Sequence, residues 1–280
     1  LREYFKKNNK IQSIVNIPIS SSVFPDVEIS GGINYFLYNQ NHKGKVRFTE
    51  YYDEDNQITN ERPLFEDGLD IILSSSFSYN IINKVTSNKF QSITSITKGR
   101  NAFGILGMDA ARISKPNHTG NLYELRCKYE EIRYVDKKYI TKNIDLAENW
   151  KVFISKGNGG AGLLTDNKEV SILGKPYIGK PKSVCTDSLI PIGNFKTKSE
   201  AIALSSFIKS KFFRFMIGIL KTSQNVLQNV YQFVPLQDFS SKSDIDWSKS
   251  TEEIDKQLYK KYRLTKEEIS FIESMIKPMS

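Results

Sequence analysis

Hydrophobic and polar residues near the start of the chain follow a pattern that predicts one helix and then three strands. Residues 1–9 carry apolar side chains at helical spacing, and residues 11–18 alternate apolar and polar positions until a proline ends the run. Residues 33–39 (INYFLYN) form an almost continuous apolar run, typical of a buried strand, and residues 45–53 alternate again. Together they predict the closing part of an α/β sheet.

The polar, turn-rich stretch 53–63 follows this sheet, and we expect a domain boundary within it. Helical spacing resumes over residues 64–88, and residues 92–183 indicate short strands interrupted by many glycines and prolines. A long amphipathic helix is predicted for residues 200–222. The predicted fold class is α+β, with an end-piece of a sheet at residues 1–58 and a mixed α/β unit with a helical C-terminal region at residues 59–280.

Two capping signals predict a helical hairpin at the end of the chain. Ser250 and Glu253 have the spacing of a capping box, and Thr265 and Glu268 repeat it. Apolar residues follow each cap at spacings of three and four, and charges of both signs cover the outer faces. We expect this hairpin to be a structural element and not a site.

The composition limits the classes of function. Forty Lys and Arg oppose 31 Asp and Glu, a net charge of +9 that favours a polyanionic partner, although many soluble proteins are this basic for solubility alone. No apolar run approaches about 18 residues, so no membrane span is expected. Cys127 and Cys185 lie far apart and fit a reducing compartment, so we expect a cytoplasmic protein. With only two histidines, neither a metal site nor a catalytic triad is expected.

Basic segments carry the prediction of nucleic-acid binding. SITKGRNAFGILG brings together Lys98, Arg100, Asn101 and Phe103. Arginine and asparagine can make paired hydrogen bonds to guanine and adenine edges, and lysine can neutralise phosphate. A surface turn with one buried aromatic explains the same residues equally well.

Further basic segments add glycine-rich loops and a helix face. SKGNGGAGLL and GKPYIGKPKS suit close approach to a phosphate backbone, and the helix at residues 200–222 carries basic residues nearly unopposed by acids. A solvated helix face accounts for the last pattern too. The candidate DNA-binding residues in these segments are Lys156, Asn158, Lys180, Lys182, Lys209, Lys211 and Arg214.

Two enzyme patterns occur only in part. Gly157, Gly159 and Gly162 have the dinucleotide-binding spacing, but the residues after them predict a strand and a turn instead of the required helix. Asp136 and Asp166 each lie close before a lysine, as in half of a metal-dependent nuclease site, yet neither lies in a convincing strand with a second upstream acid. Cofactor binding and DNA cleavage are therefore not the preferred predictions.

Several segments resemble one family of DNA-modifying enzymes. The stretch from LREYF to GGINYFLYN resembles the end of the catalytic domain in N6-adenine DNA methyltransferases of restriction–modification systems, the gamma type with a C-terminal target recognition domain. The segment SSFIKSKFFRF also resembles type I specificity subunits, which read DNA. Resemblance to the methyltransferases extends over nearly the whole chain, through RNAFGI, SVCTDSLIPIG, EAIALSSFIKSKFFRFMIGILKTSQNV, YQFVPLQDF and DIDWSKSTEEIDKQLYKKYRLTKEEI.

The resemblance implies a Rossmann-like domain that binds S-adenosylmethionine, flips an adenine out of the duplex and methylates its N6. The family's Asn-Pro-Pro-Tyr signature and glycine-rich cofactor loop do not occur in this sequence. The resemblance therefore implies that both lie on polypeptide upstream of Leu1, and that this chain alone binds no cofactor and is inactive. Phe24 matches the family's aromatic that packs against the flipped adenine, and a core aromatic is the alternative.

From these patterns and this resemblance, we expect residues 59–280 to read double-stranded DNA as the target recognition domain of a bacterial restriction–modification methyltransferase. Residues 1–58 would complete the sheet of a methyltransferase domain whose N-terminal part is the expected partner. Two alternatives remain open: a free-standing DNA specificity protein and, less favoured, a metal-dependent nuclease. The DNA sequence recognised and the oligomeric state are not predicted.

Overall fold

The computed structural model describes residues 2–26, 29, 32–65, 69, 71–87, 89–117, 119–128, 131–157, 172–221 and 225–279. The helices are α1 (Arg2–Lys7), α2 (Ser76–Thr86), α3 (Ala110–Ile113), α4 (Ile144–Ala147), α5 (Lys198–Lys209), α6 (Lys211–Leu220), α7 (Thr251–Lys261) and α8 (Lys266–Met275). The strands are β1 (Ile11–Ile17), β2 (Ile33–Tyr38), β3 (Val46–Tyr51), β4 (Gln57–Arg62), β5 (Ser114–Lys115), β6 (Tyr123–Arg126), β7 (Ile132–Val135), β8 (Trp150–Ser155), β9 (Tyr177–Gly179), β10 (Ser183–Cys185) and β11 (Leu189–Phe195). Several small mixed sheets combined with helices confirm the predicted α+β class.

The first sheet has the strand order β2-β1-β3-β4. Strand β1 pairs antiparallel with β2 and parallel with β3, and β3 pairs antiparallel with β4. The alternation in the sequence is visible in β3, where Val46 and Phe48 are buried. Together with Ile11, Ile14 and Leu64 they form the small core of this sheet. The helix and the three strands predicted here are confirmed.

Two strands of this sheet differ from the sequence-based expectation. Strand β2 was predicted to be buried, but it lies at the sheet edge with Tyr35 and Leu37 62% and 54% exposed. The stretch expected to be a polar turn contains β4, whose polar side chains face water while its backbone pairs with β3. The boundary expected after residue 58 therefore falls inside a strand. The sheet continues to Arg62, whose guanidinium stacks on Phe48 at 3.8 Å.

Two further sheets, with orders β10-β6-β7-β5 and β11-β8-β9, hold the loops that form the candidate site. The strands predicted around YELRCKYEEIRYV and NWKVFISK are confirmed as β6, β7 and β8. Phe153 of β8 is completely buried and belongs to the same core as Tyr123, Leu125 and Val184 of the neighbouring sheet. Through this shared core the two sheets pack together.

Helices α2, α5, α6, α7 and α8 pack around the largest core. Helix α2 begins only after Ser75, whose side chain accepts a hydrogen bond from Phe77 N, so the helix predicted for residues 64–88 is shorter than expected. The single helix expected for residues 200–222 is two helices. Ser210 has an extended backbone and its side chain caps α6 by accepting from Phe213 N, which ends α5 there.

The C-terminal hairpin is confirmed with both of its predicted capping boxes, at Ser250 and Thr265. Its contacts are with the other helices: Lys84 of α2 pairs with Glu268 at 2.7 Å, and Asp255 accepts from two backbone N–H groups that begin α6. The hairpin therefore binds α2 through an ion pair and the start of α6 through backbone hydrogen bonds. Within the described residues, no helix has the length and apolar content needed to cross a bilayer.

Candidate nucleic-acid interface

Three separate segments meet at the turn between β10 and β11. Backbone hydrogen bonds join them: Lys98 N donates to Pro191 O, and Asp187 N donates to Ile105 O, each at 3.0 Å. The end of β8 joins the same turn through Lys156 N, which donates to Ser188 O at 3.0 Å. The basic loop 98–107 is therefore fixed to this turn and to β11, and the lysine after β8 to the turn.

The side chain of Asp187 connects these segments. Its Oδ2 accepts from Arg100 Nε at 3.1 Å, from Arg100 Nη2 at 2.8 Å and from Lys156 Nζ at 3.3 Å. Its Oδ1 accepts from Gly107 N at 2.8 Å. We call Arg100, Gly107, Lys156 and Asp187 the Asp187 cluster.

The surface of the Asp187 cluster is positive, because two cations share one carboxylate. Burial alone would raise the pKa of Asp187, but hydrogen bonds from Gly107, Arg100 and Lys156 outweigh it and hold the pKa below its usual value. One carboxylate therefore faces two cations. The Asp187 side chain is only 11% exposed whereas that of Arg100 is 62% exposed, so solvent meets the arginine and not the acid.

The loop that carries Arg100 is anchored by the residues that follow it. Phe103 is fully buried and packs edge-to-face on Phe153 with ring centroids 6.5 Å apart, which matches the alternative of a surface turn with one buried aromatic. Gly104 has φ +80, and a Cβ built on it would lie 1.9 Å from Thr141 Oγ1, so only glycine fits. Arg100 is thus an exposed residue on a well-held turn.

Asn101 does not fit its predicted role in reading adenine. Its backbone is left-handed (φ 60), and its carbonyl oxygen accepts from Gly104 N in the turn. Its side-chain Oδ1 is buried and has no hydrogen-bond partner among the described residues. A bidentate contact to adenine uses both ends of the amide, so burying one end removes it.

Lys180 and Lys182 lie in a second exposed group, at the N-terminal side of β10. Lys180 Nζ pairs with Glu124 at 2.9 Å, and Glu124 also pairs with Arg126 at 3.2 Å. Lys182 Nζ donates to Asn121 Oδ1 at 2.6 Å. Glu124 therefore offsets part of the positive charge of this group.

The three basic residues predicted for one face of the helix at residues 200–222 do not share one exposed face in the structure. Arg214 is buried and donates to the carbonyls of Lys209, Ser210 and Lys277, so it holds the hairpin against α6. Lys211 forms an ion pair with Glu273 of α8. Of the three residues predicted to bind DNA on this helix, Lys209 remains as an exposed cation. The helical period was correct, but core packing decided which basic residues face water.

Phe24 lies in the loop after β1 and is 48% exposed, so the alternative of a core aromatic is wrong. Its stacking role stays a prediction. Asn158, Gly159, Gly162 and Asp166 lie outside the described residues.

Asp136 caps a turn by accepting from Lys138 N at 3.0 Å. In the described part of the chain, no group of three or more His, Cys, Asp or Glu side chains could hold a metal ion. Asp136, which matched half of a nuclease site in the sequence, is therefore a capping residue in the structure.

Two important residues were not predicted. Asp187 is a lone acid between two apolar runs in the sequence (SVCTDSLIPIG), and this position was the one feature that could have pointed to it. Lys151 is fully buried on β8 and donates to the carbonyls of Ala147, Lys180 and Ser183 at 3.1, 3.2 and 2.8 Å. Burial lowers the pKa of Lys151 to about 7.

Comparisons with known proteins give little at the level of sequence: no protein-family model matches the chain, and no curated protein matches it. Among solved structures, it is similar to the type IIG restriction endonuclease BpuSI, with 11% identity and a TM-score of 0.36 over 94% of this chain and 40% of that one. It is also similar to the type IIL restriction-modification enzyme MmeI, solved in complex with DNA, with 8% identity and a TM-score of 0.47 over 95% of this chain and 45% of that one. The chain thus spans less than half the length of either enzyme. A likeness this distant assigns no residue of this chain a role.

Proposed function

We propose that this chain reads double-stranded DNA as the target recognition part of an adenine-N6 methyltransferase of a restriction–modification system. The observation that carries the DNA-reading part is the Asp187 cluster. It presents an exposed arginine on a rigid turn, with Lys98 two residues before it and Lys156 sharing its carboxylate. Reading a duplex requires cations for the phosphates and a fixed donor group for base edges, and this arrangement supplies both.

The net charge of +9 supports the same partner, because a basic protein attracts the polyanionic duplex over distance. The methyltransferase part of the proposal rests on the sequence resemblance described above. S-adenosylmethionine would bind in the catalytic domain. The described part of this chain has no glycine-rich turn between a strand and a helix, so we derive no step through the cofactor.

The experiment is a titration of the chain into a fluorescent pool of random duplexes at several salt concentrations. We expect affinity to fall steeply with salt between about 50 and 200 mM, because phosphate binding releases counterions. Replacing Lys98 and Lys156 together by alanine should weaken binding on all sequences and reduce the salt slope by about two, roughly one per lost phosphate contact.

The matched control removes the same charge elsewhere: Lys249 and Lys256, both exposed near and on α7, are replaced by alanine. This control should leave affinity and slope nearly unchanged. No binding to duplex at low salt, or an equal loss in the control, would contradict the proposal. The methyltransferase part is tested separately, by mass spectrometry of N6-methyladenine after the intact protein acts on duplex DNA with S-adenosylmethionine.

A further inference from the structure

We infer that Asp187 is a positioning residue that fixes Arg100 to read a guanine base. The inference rests on the proposed DNA-reading function and adds to it the base that is read and the residue that orients its reader. Three features of the cluster lead to it: the guanidinium donors that the carboxylate occupies, the donors that it leaves free, and the burial that keeps the acid from reading a base itself.

The carboxylate holds one side of the guanidinium. Asp187 Oδ2 accepts from Nε and from Nη2 of Arg100, at 3.1 and 2.8 Å. A guanidinium has five N–H donors in a plane, so this contact uses the Nε side and leaves Nη1 and the second hydrogen of Nη2. Those remaining donors form the end of the fork, whose spacing matches the O6 and N7 acceptors of guanine.

The free end of the fork donates to no acceptor among the described residues. The described residues give Arg100 no hydrogen bond besides those to Asp187, and its side chain is mostly exposed. A long arginine normally loses rotamer freedom when it binds, which weakens binding. Here Asp187 has already restricted the side chain, so base contact orders little more.

Asp187 itself is not available as a base reader. An aspartate can accept from the amino group of cytosine, but this one is nearly buried and already accepts from four N–H donors. Lys156 Nζ, at 3.3 Å from the same oxygen, keeps the cluster positive and limits repulsion between the acid and the phosphates. Arg100 is therefore the residue that reads the base, and Asp187 orients the Arg100 side chain.

The test selects bound sequences from a pool of random duplexes with the wild-type chain and with variants. Wild type should prefer guanine at one position by roughly 5- to 150-fold, the discrimination of one bidentate pair. Arg100→Lys keeps the charge but lacks the fork, so it should lose most of that preference at this position alone, with an unchanged salt slope. Asp187→Asn should reduce the preference at the same position and leave the others intact.

A matched control exists in Arg112, an exposed arginine paired with Asp109 at 3.1 Å. Arg112→Lys and Asp109→Asn should change the preference at no position. Thermal unfolding shows whether Asp187→Asn folds. If it does not, Asp187→Glu, which keeps the charge but moves the carboxylate, should give the same loss at one position.

Different failures have different meanings. A guanine preference that survives Arg100→Lys, or an Asp187 variant that is folded and leaves the preference unchanged or alters it equally at every position, overturns this inference and leaves the proposed function standing. Binding without any base preference, or no binding, overturns the proposed function itself and this inference with it.

Discussion

Lys151 shows how one buried cation supports the strands behind the candidate interface. Its Nζ donates to three carbonyls, that of Ala147 at the end of α4 and those of Lys180 and Ser183 around the turn between β9 and β10, and so ties the start of β8 to both places. Hydrogen bonds to carbonyls favour the charged ammonium, whereas burial disfavours it, and burial dominates because the pKa is lowered to about 7. Below about pH 7 the protein therefore holds a positive charge in its interior at the cost of stability, and above it the folded chain releases that proton.

The resulting pH dependence has a definite sign. Between pH 7 and the ordinary lysine range, the folded chain has released a proton that the unfolded chain still binds, so the free energy of unfolding should rise with pH. The rise is at most about 1.4 kcal/mol per pH unit for one proton. Chemical unfolding at pH 7.5 and 8.5 measures it (both values lie within about 2 units of the lowered pKa).

The matched variant for this measurement is Lys151→Met, because it lacks the titrating group while retaining much of the side chain's volume. It should be less stable by about 2–4 kcal/mol, because three carbonyls, two of them in buried bonds, lose their donor. The difference between wild type and variant should widen as pH rises. A constant difference across this range would contradict the assigned pKa shift and leave the hydrogen-bonding role intact.

At this scale the sequence indicated the candidate site only in part. Arg100 and Lys156 were found because loops rich in glycine and basic residues are visible in one segment of sequence. Asp187 was not, because its partners Arg100 and Lys156 lie 87 and 31 residues away in sequence. The burial of Asn101 Oδ1 and of Arg214 was not foreseen, since residue type does not show which polar groups the backbone and the core enclose.

At the scale of elements, Ser210 separates two helices although the helical spacing of apolar residues continues across it. Apolar residues keep the helical period across it because α5 and α6 both face the largest core, so periodicity alone predicted one helix. Ser210 is buried, donates to Phe207 O at 2.7 Å and accepts from Phe213 N at 3.0 Å. It therefore ends one helix and begins the next. The capping boxes of α7 and α8 were predictable because both partners lie within four residues.

Replacing this serine tests its double role. Ser210→Ala removes the cap of α6 and the bond to Phe207, so it should lower the free energy of unfolding by about 1–2 kcal/mol. Ser206→Ala on α5 is the matched control, because Ser206 lies inside the helix and alanine has the higher helix propensity. Thermal and denaturant unfolding of both variants measure the difference. Equal stability of the two variants would show that backbone packing alone fixes the break.

At the scale of the whole molecule, β2 leaves a strongly apolar edge. Tyr35 and Leu37 are exposed on one face, Phe36 and Tyr38 on the other, and among the described residues β2 pairs only with β1. The run was predicted to be buried because its composition is that of an inner strand. Exposed, flat, apolar edge strands are sites of association between chains.

The isolated chain is therefore expected to self-associate through β2. Leu37→Lys places a charge on this edge and should lower the apparent mass measured by sedimentation at micromolar concentration. Ile58→Lys changes a partly exposed isoleucine on the opposite, polar edge strand, β4, and should have no such effect. A monomeric wild-type chain, or equal effects of both variants, would refute this role of β2.

The long sequence separations within the Asp187 cluster also bear on how the proposed DNA-reading surface forms during folding. Three contacts at Asp187 close loops of 80, 87 and 31 residues, so each of them forms only when a distant segment of the chain is in place. A synthetic peptide of loop 98–107 would therefore carry the arginine without its orientation. Its affinity for duplex DNA would reflect charge alone. If this loop were grafted onto another scaffold, base preference would be transferred only together with the turn that carries Asp187 and the end of β8 that carries Lys156.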